Sequence, residues 1–476
     1  MRFGLRLAIA LVGASLLSTA AFVVVTMHSR LFEYAEGCVL FEAARLHAHL
    51  ALYVDPIRGA YDYGAVPARY YVVYPPFWVA ALSLVPSPLA PDVGRCVSSS
   101  LWYGVLGGLA RSALLRGRPV GALVAAFFGG VYTLALYAAS ARPDSLAVAL
   151  AAIALEKSVR RGRMGSFEAG LFALAACIKP NVFGLGVGAF GALVLSHPRG
   201  IGKPVCAWIG VLVTAAALLH WLSHGEWIHH LVFSTLQTWS LAQWVYQLRA
   251  SPQFLALPLA FAVYCSRARH SDAGARLATL ALLASLGWTL FALGKVGSAT
   301  NYWMEPCMGA VVVCAHVPVP SLSVRAKCAL ALAVPLQALW TGVASVRSSF
   351  ESMLASPAQA RILAEVRGSL RPGEVALSDN AGIEFALDGR LVDEPFQATR
   401  LIQEGRFSRE LWIADVERPE VAALVTESDI LERPLAEVDF LHDRYDTELR
   451  RALRSELELV KQDAGLYVYR CLTAPR

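Results

Sequence analysis

The sequence predicts an all-α polytopic membrane bundle that carries a small α/β domain at its C-terminal end. Three observations carry that expectation. Of 476 residues, 56% are hydrophobic and only 16% charged, with a mean hydropathy of +0.49, whereas soluble domains carry about 25% charged residues. Apolar runs recur through residues 7–346. From 347 onward charged residues become frequent, and short strand-like and helix-like patterns alternate. The chain therefore divides by composition into a membrane body, 1–346, and a soluble domain, 347–476. The formal charge of +6 is spread over loops. That distribution bears on topology and argues against a nucleic-acid partner, which would need a basic stripe. Nine cysteines show neither a CxxC pair nor a Cys/His ligand spacing, so no metal site is readable from them. Cys38 and Cys471 fall outside the apolar segments, and a bridge between them is the one pairing open.

In chain order, MRFGLR precedes an apolar run of about 20 residues, which reads as an uncleaved first transmembrane helix. Arg2 and Arg6 put its start in the cytoplasm and the following loop, 28–92, on the outer side. Within that loop, residues 32–76 are too polar to cross a membrane and hold Glu33, Glu36, Glu42, Arg45 and Arg69. A connection of this length is usually functional or disordered, and its Tyr, Pro and paired charges argue against disorder. Residues 77–85 are apolar, short and bracketed by prolines, as expected of an interfacial helix lying flat. The basic clusters at 111–118, 157–163, 199–203, 267–276 and 325–327 then all fall inside.

Further spans are expected at 93–114, 119–140, 144–158, 165–178, 182–197, 204–222, 252–266, 276–294, 302–317 and 326–346, eleven with the first, leaving the C-terminus outside. The outer connection 223–252 is aromatic and weakly charged, a second amphipathic segment at the interface. The C-terminal domain reads as helix 351–367, strand 373–378, turn 379–382, helices 398–404 and 409–416, strand 421–426, helix 444–456 and strands 457–461 and 465–470. No Walker A motif, GxGxxG motif or internal repeat is present.

Four places could carry chemistry. Glu36 follows the first helix closely; a carboxylate there can act as general base on an acceptor hydroxyl, or can simply pair with Arg45. Arg142-Pro143-Asp144 forms an outer turn, where the charges are either functional or a helix cap. Lys179, in Lys179-Pro180-Asn181, suits a phosphate as a point charge or snorkels to the interface. Asn301, Tyr302 and Glu305 open a span, Glu305 being a functional residue or one end of an interhelical hydrogen bond. Arg69, in the first outer loop, is a further cation able to meet a substrate phosphate. The topology places all of these on the outer side, where cations can offset charge on a departing lipid phosphate while a carboxylate takes a proton.

The order of these motifs resembles the GT-C superfamily of integral-membrane glycosyltransferases, which includes protein O-mannosyltransferases and the aminoarabinose transferases of lipid A. The branch it looks most like is dolichyl-phosphate-mannose mannosyltransferase-like. The residues that carry the likeness are Ala35-Glu36-Gly37, Tyr53 with Asp55-Pro56, Tyr74-Pro75-Pro76, Arg142-Pro143-Asp144, Lys179-Pro180-Asn181 and Asn301 to Glu305. The resemblance implies a bacterial inner-membrane, multi-pass protein whose C-terminal domain is periplasmic. It implies sugar transfer, usually with inversion, from a polyprenyl-phosphate donor to a glycan, lipid or protein acceptor on the outer face. Glu36 would be the base, Asp144 an acid that orients the acceptor or binds a Mg²⁺ or Mn²⁺ ion, and Lys179 the phosphate contact. Many members have an Asp-Glu pair where this chain has Ala35-Glu36, so Glu36 works alone or activity is lost. Two other readings stand beside this one: a transporter or flippase, and a non-catalytic scaffold.

Overall fold

The structure, a computed structural model, describes residues 2–27, 29, 31–62, 64–233, 237–251, 259, 262–264, 272–318, 324–392, 394–432, 445 and 447–472. Its helices begin with α1 (Arg2–Met27), α2 (Tyr34–His47), α3 (Phe77–Ser83), α4 (Ala90–Leu115), α5 (Pro119–Gly129), α6 (Tyr132–Ala138) and α7 (Asp144–Arg161). They continue as α8 (Ser166–Ile178), α9 (Gly184–Ser196), α10 (Gly202–Leu222), α11 (Leu241–Arg249), α12 (Ala273–Ala292), α13 (Met304–His316) and α14 (Val324–Ser369). The remainder holds β1 (Val375–Ser378), α15 (Ala381–Asp388), α16 (Pro395–Gln403), α17 (Arg409–Val416), β2 (Val421–Thr426), α18 (Thr447–Glu456), β3 (Leu457–Asp463) and β4 (Leu466–Cys471). By contacts the chain forms two compact units. One is Met1–Met27, Gly94–Leu218 and Thr238–Glu351; the other is His28–Val93, Leu219–Gln237 and Ser352–Arg476.

The first unit is helical. Its most extensive packing is α12 against α9. The seam is lined by glycine: a Cβ on Gly188 would lie 2.3 Å from the Leu280 carbonyl oxygen, and one on Gly184 would lie 2.6 Å from Ser285 Cα. Small residues four apart let two backbones touch, the packing mode that serves helices in lipid, where apolar burial gives no driving force.

Three described helices are long and apolar enough to cross a membrane: α1 from Arg6, α10 and α12. The pair α5 and α6 makes a fourth if it is one span. The eleven spans expected from the sequence are therefore not confirmed. α8, α9 and α13 have 13 residues each, fewer than the roughly 20 that cross a bilayer upright, while α4 and α7 carry several charges. Most of the 252–266 span lies outside the described residues. The 326–346 span is the first part of α14, which continues unbroken for 46 residues, so the expected helix at 351–367 is no separate element.

The span expected at 119–140 is not one straight helix, since the chain there bends by 72° between α5 and α6. Carbonyls freed by such a break need donors. Ser15 Oγ donates to the Gly130 carbonyl and Thr19 Oγ1 to that of Gly129 at 3.1 Å. Gly130 permits this approach, because a Cβ there would sit 3.0 Å from the Leu16 amide nitrogen.

The second unit opens with α2, so residues 34–47 are helix where the sequence reading saw a loop. Glu33 is the N-cap, accepting from the amides of Ala35 (3.0 Å) and Glu36 (3.2 Å), while Glu36 Oε2 accepts from the Glu33 amide at 3.4 Å. This is a reciprocal capping box, with Glu in a position usually held by Ser or Thr. α2 crosses α15 at two glycines: a Cβ on Gly37 would meet Gly382 at 2.5 Å, and one on Gly382 would lie 2.1 Å from the Phe32 carbonyl oxygen. The expected 379–382 turn is the start of α15, capped by Asn380 Oδ1, which accepts from the Gly382 amide at 2.9 Å.

The expected C-terminal α/β pattern is present as one sheet of order β1-β2-β4-β3, parallel between β1 and β2 and antiparallel elsewhere. Leu377, Leu424, Trp412, Leu449, Leu453 and Tyr469 form its core. Cys38 and Cys471 are free, buried thiols, so the bridge left open by the sequence is not made.

Candidate active site

In the first unit four of the residues named from sequence meet around one carboxylate. Asp144 opens α7 immediately after Pro143, whose φ of −72° already suits a helix start. Lys179 is the C-cap of α8, with the extended φ of −145° expected before Pro180. A 3-10 turn, Thr300–Trp303, presents Asn301. Lys179 Nζ and Asn301 Nδ2 (2.7 Å) both donate to Asp144 Oδ1, and Arg142 Nε donates to Asp144 Oδ2 at 3.1 Å. Asp144 is 1% exposed, Lys179 and Arg142 4%, and Asn301 6%. At that burial each charge needs a partner, and Asp144 serves both cations. The Arg142 guanidinium also lies 4.9 Å from the centroid of the Tyr137 ring, and its carbonyl accepts from Ser98 Oγ at 3.2 Å, which joins α4 to the turn. The cluster thus brings two cations onto one buried carboxylate in a water-poor place.

Tyr302 adjoins Asn301, and its carbonyl accepts from Thr289 Oγ1 at 3.3 Å. Glu305 is used differently. Its Oε1 accepts from the Leu185 amide at 2.9 Å and its Oε2 from Ser285 Oγ at 3.0 Å, fastening the N-terminus of α9 to α12 and α13. That is the interhelical hydrogen bond weighed as an alternative from the sequence.

The second unit holds Glu36 and Arg69. Glu36 is 1% exposed in the first turn of α2. The pairing open to it from sequence, with Arg45, is not made: Arg45 bonds Asp62 at 2.7 Å and the Ala51 carbonyl at 2.9 Å. Arg69 pairs with Asp415 and donates to the carbonyls of Pro56 (3.0 Å) and Ile57, pinning residues 56–69 to α17.

A buried group that the sequence reading did not single out lies beside α2. Glu394 Oε2 accepts from the Tyr71 amide at 2.9 Å and its Oε1 from Cys38 Sγ at 3.5 Å. Burial pushes the Glu394 carboxyl up to about 7, the Tyr71 amide and Cys38 thiol offsetting only part of that. Burial, with the charge of Glu394 behind it, also raises Glu42 well above the carboxylate range; neither Glu42 oxygen has a well-formed hydrogen bond to the described residues, and the Val73 amide offsets little. His230 accepts from the Val72 amide at Nδ1 (3.1 Å) and donates from Nε2 to the Val54 carbonyl (2.9 Å), which uses both nitrogens of the neutral ring. Burial lowers it to about 4. Spacing gives no warning of this group, because its members come from positions 38, 42, 230 and 394.

The set around Asp144 does not suit a divalent ion: both carboxylate oxygens face donors, two of them cationic. Among the described residues no group of three or more His, Cys, Asp or Glu is placed to hold a metal.

No family model matches the chain, and no curated protein matches it by sequence. Among solved structures it is similar to the crystal structure of ArnT from Cupriavidus metallidurans bound to undecaprenyl phosphate. The TM-score is 0.56 and the identity 14%, over 97% of this chain and 98% of that one. The likeness runs over nearly the whole of both chains and shows a shared fold.

Proposed function

We propose that this chain, built on the fold it shares with ArnT, is a membrane glycosyltransferase moving a sugar from a polyprenyl-phosphate carrier to an acceptor hydroxyl on the outer face. The observation that carries the reading is the buried cluster in which Lys179, Arg142 and Asn301 converge on Asp144. A lipid phosphate suits that pair of cations. Lys179 meets it as a point charge and Arg142 as a planar fork, both oriented by Asp144. In a site this poor in water such interactions are much stronger than at a surface.

Glu36 is assigned the base. As the acceptor oxygen attacks the anomeric carbon, Glu36 takes the hydroxyl proton, the bond from that carbon to the phosphate oxygen breaks, and the electron pair leaves with the phosphate. With Ala35 beside it, Glu36 acts without a neighbouring acid in its own motif. The acceptor is a glycan, lipid or protein, and the N-terminus is assigned to the cytoplasm.

Native mass spectrometry of detergent-purified protein tests the donor, with Lys179→Ala as control. A co-purifying polyprenyl-phosphate sugar, weakened in the control, is the expected result. Protein that carries none and ignores added carrier would overturn the reading. Turnover of Glu36→Gln tests the base. Gln also serves at this capping-box position, so the variant should keep its melting temperature within about 2 °C, since a change of a few tenths of a kcal/mol moves a large domain little, while losing at least about 100-fold in rate.

A further inference from the structure

Asn301 leaves one polar atom to be explained. Its side-chain nitrogen donates to Asp144 Oδ1 at 2.7 Å. An ionised carboxylate only accepts, so this bond settles which way the amide is turned. The amide oxygen is buried and accepts no hydrogen bond from any described residue. Buried acceptors of this kind are uncommon in folded proteins and call for a donor.

The surroundings limit what that donor can be. Asn301 Nδ2 and Lys179 Nζ share the same oxygen, Asp144 Oδ1, so the amide lies within a few ångströms of the ammonium that would hold the carrier phosphate. An ionised phosphate offers only acceptors and cannot satisfy Asn301 Oδ1. A sugar hydroxyl can. On a sugar phosphate the hydroxyl on the carbon next to the anomeric one is the donor nearest the phosphate, and it stays there in every rotamer of the glycosidic bond.

We infer that Asn301 is a specificity-determining residue whose side-chain oxygen accepts a hydrogen bond from the sugar hydroxyl adjacent to the anomeric carbon. The inference rests on the functional reading above and adds the part of the donor that is recognised. It has a consequence for turnover. The charged carrier satisfies Asn301, whereas the spent carrier, a bare lipid phosphate, leaves the acceptor unpaired, so substrate is held in preference to product. A site built to bond a hydroxyl discriminates strongly against the analogue that lacks it.

The test uses full-length protein and four probes: undecaprenyl phosphate, its mannosyl and glucosyl derivatives, and the 2-deoxyglucosyl derivative, which lacks the hydroxyl in question. Wild type should bind the better of the first two sugar carriers about tenfold tighter than bare carrier, as one well-made hydrogen bond allows. The deoxy carrier should bind like the bare one. Asn301→Ala should erase these differences while holding bare carrier within about threefold of wild type, since Lys179 and Arg142 remain. A wild type that does not distinguish the deoxy carrier from its parent would overturn the inference without any variant being needed. So would a discrimination that survives in Asn301→Ala, or a variant that weakens every probe equally, which would mean that Asn301 acts only by holding Asp144. A wild type that binds none of the four probes sinks the functional reading, and this inference with it.

Discussion

Glu394 shows how burial acts on a single proton. Its folded-state value of about 7 lies above the ordinary 4.5, so between those two pH values the folded chain holds a proton that the unfolded chain has released. Stability contributed at this site therefore falls as pH rises from 4.5 to 7 and is constant on either side, a total of about 3 kcal/mol. His230 runs the other way: lowered from 6.5 to about 4, it costs stability as pH falls through that window. Substitution separates the two. Glu394→Gln imitates the protonated acid, so its melting temperature should match wild type near pH 4.5, exceed it increasingly up to about pH 7 and keep that lead above. A difference that does not change with pH would show that Glu394 is ionised throughout. Asp144→Asn should behave in the opposite sense at every pH near neutrality. It neutralises the carboxylate to which Lys179 and Arg142 both donate, a loss on the order of 3–5 kcal/mol, with turnover lost as well. Thermal unfolding beside a rate assay would register both.

Elements in this chain meet where glycine removes the side chain between them. At the crossing of α2 and α15, Gly382→Ala would place a carbon 2.1 Å from the Phe32 carbonyl oxygen, which no rotamer change relieves because the obstacle is backbone. The two elements must separate, at about 2–3 kcal/mol. Gly170→Ala in α8 is the control, since a Cβ there meets nothing within 4 Å. A Gly382→Ala protein as stable as Gly170→Ala would mean that the crossing adapts. The same crossing accounts for Gly37 beside Glu36: the glycine serves packing, whatever the glutamate does.

On the scale of the whole molecule, each unit binds distant stretches of chain together. In the second, Arg69 and Asp415, 346 positions apart, are both nearly buried. Arg69→Met keeps much of the volume and leaves Asp415 to Arg418 alone, which lies 3.1 Å away and is about a third exposed. About 2–4 kcal/mol should be lost, visible as a lower melting temperature and as earlier proteolysis within 55–70. Unchanged proteolysis would show that this stretch is held by its apolar contacts alone.

Composition by itself determined that this is a polytopic membrane protein, and alternating periodicity determined the α/β character of residues 347–476, with α17, β2, α18, β3 and β4 falling close to their expected bounds. Both follow from local rules, the solvent each segment tolerates and the repeat of its side chains. The order of the motifs was legible too. What each charged residue does was not. Asp144, Lys179 and Asn301 come together across separations of 35 and 157 residues. Glu305 and Arg69 bear the same kinds of charge but fasten helices and loops, and Glu36 sits in a helix that its acidic neighbour caps. The break between α5 and α6 was hidden because its freed carbonyls are answered from α1, more than 100 residues away. Tertiary structure decided these matters for one physical reason: a buried polar group must be paired, and its partner is chosen by proximity in space, which the spacing of residues along the chain does not contain.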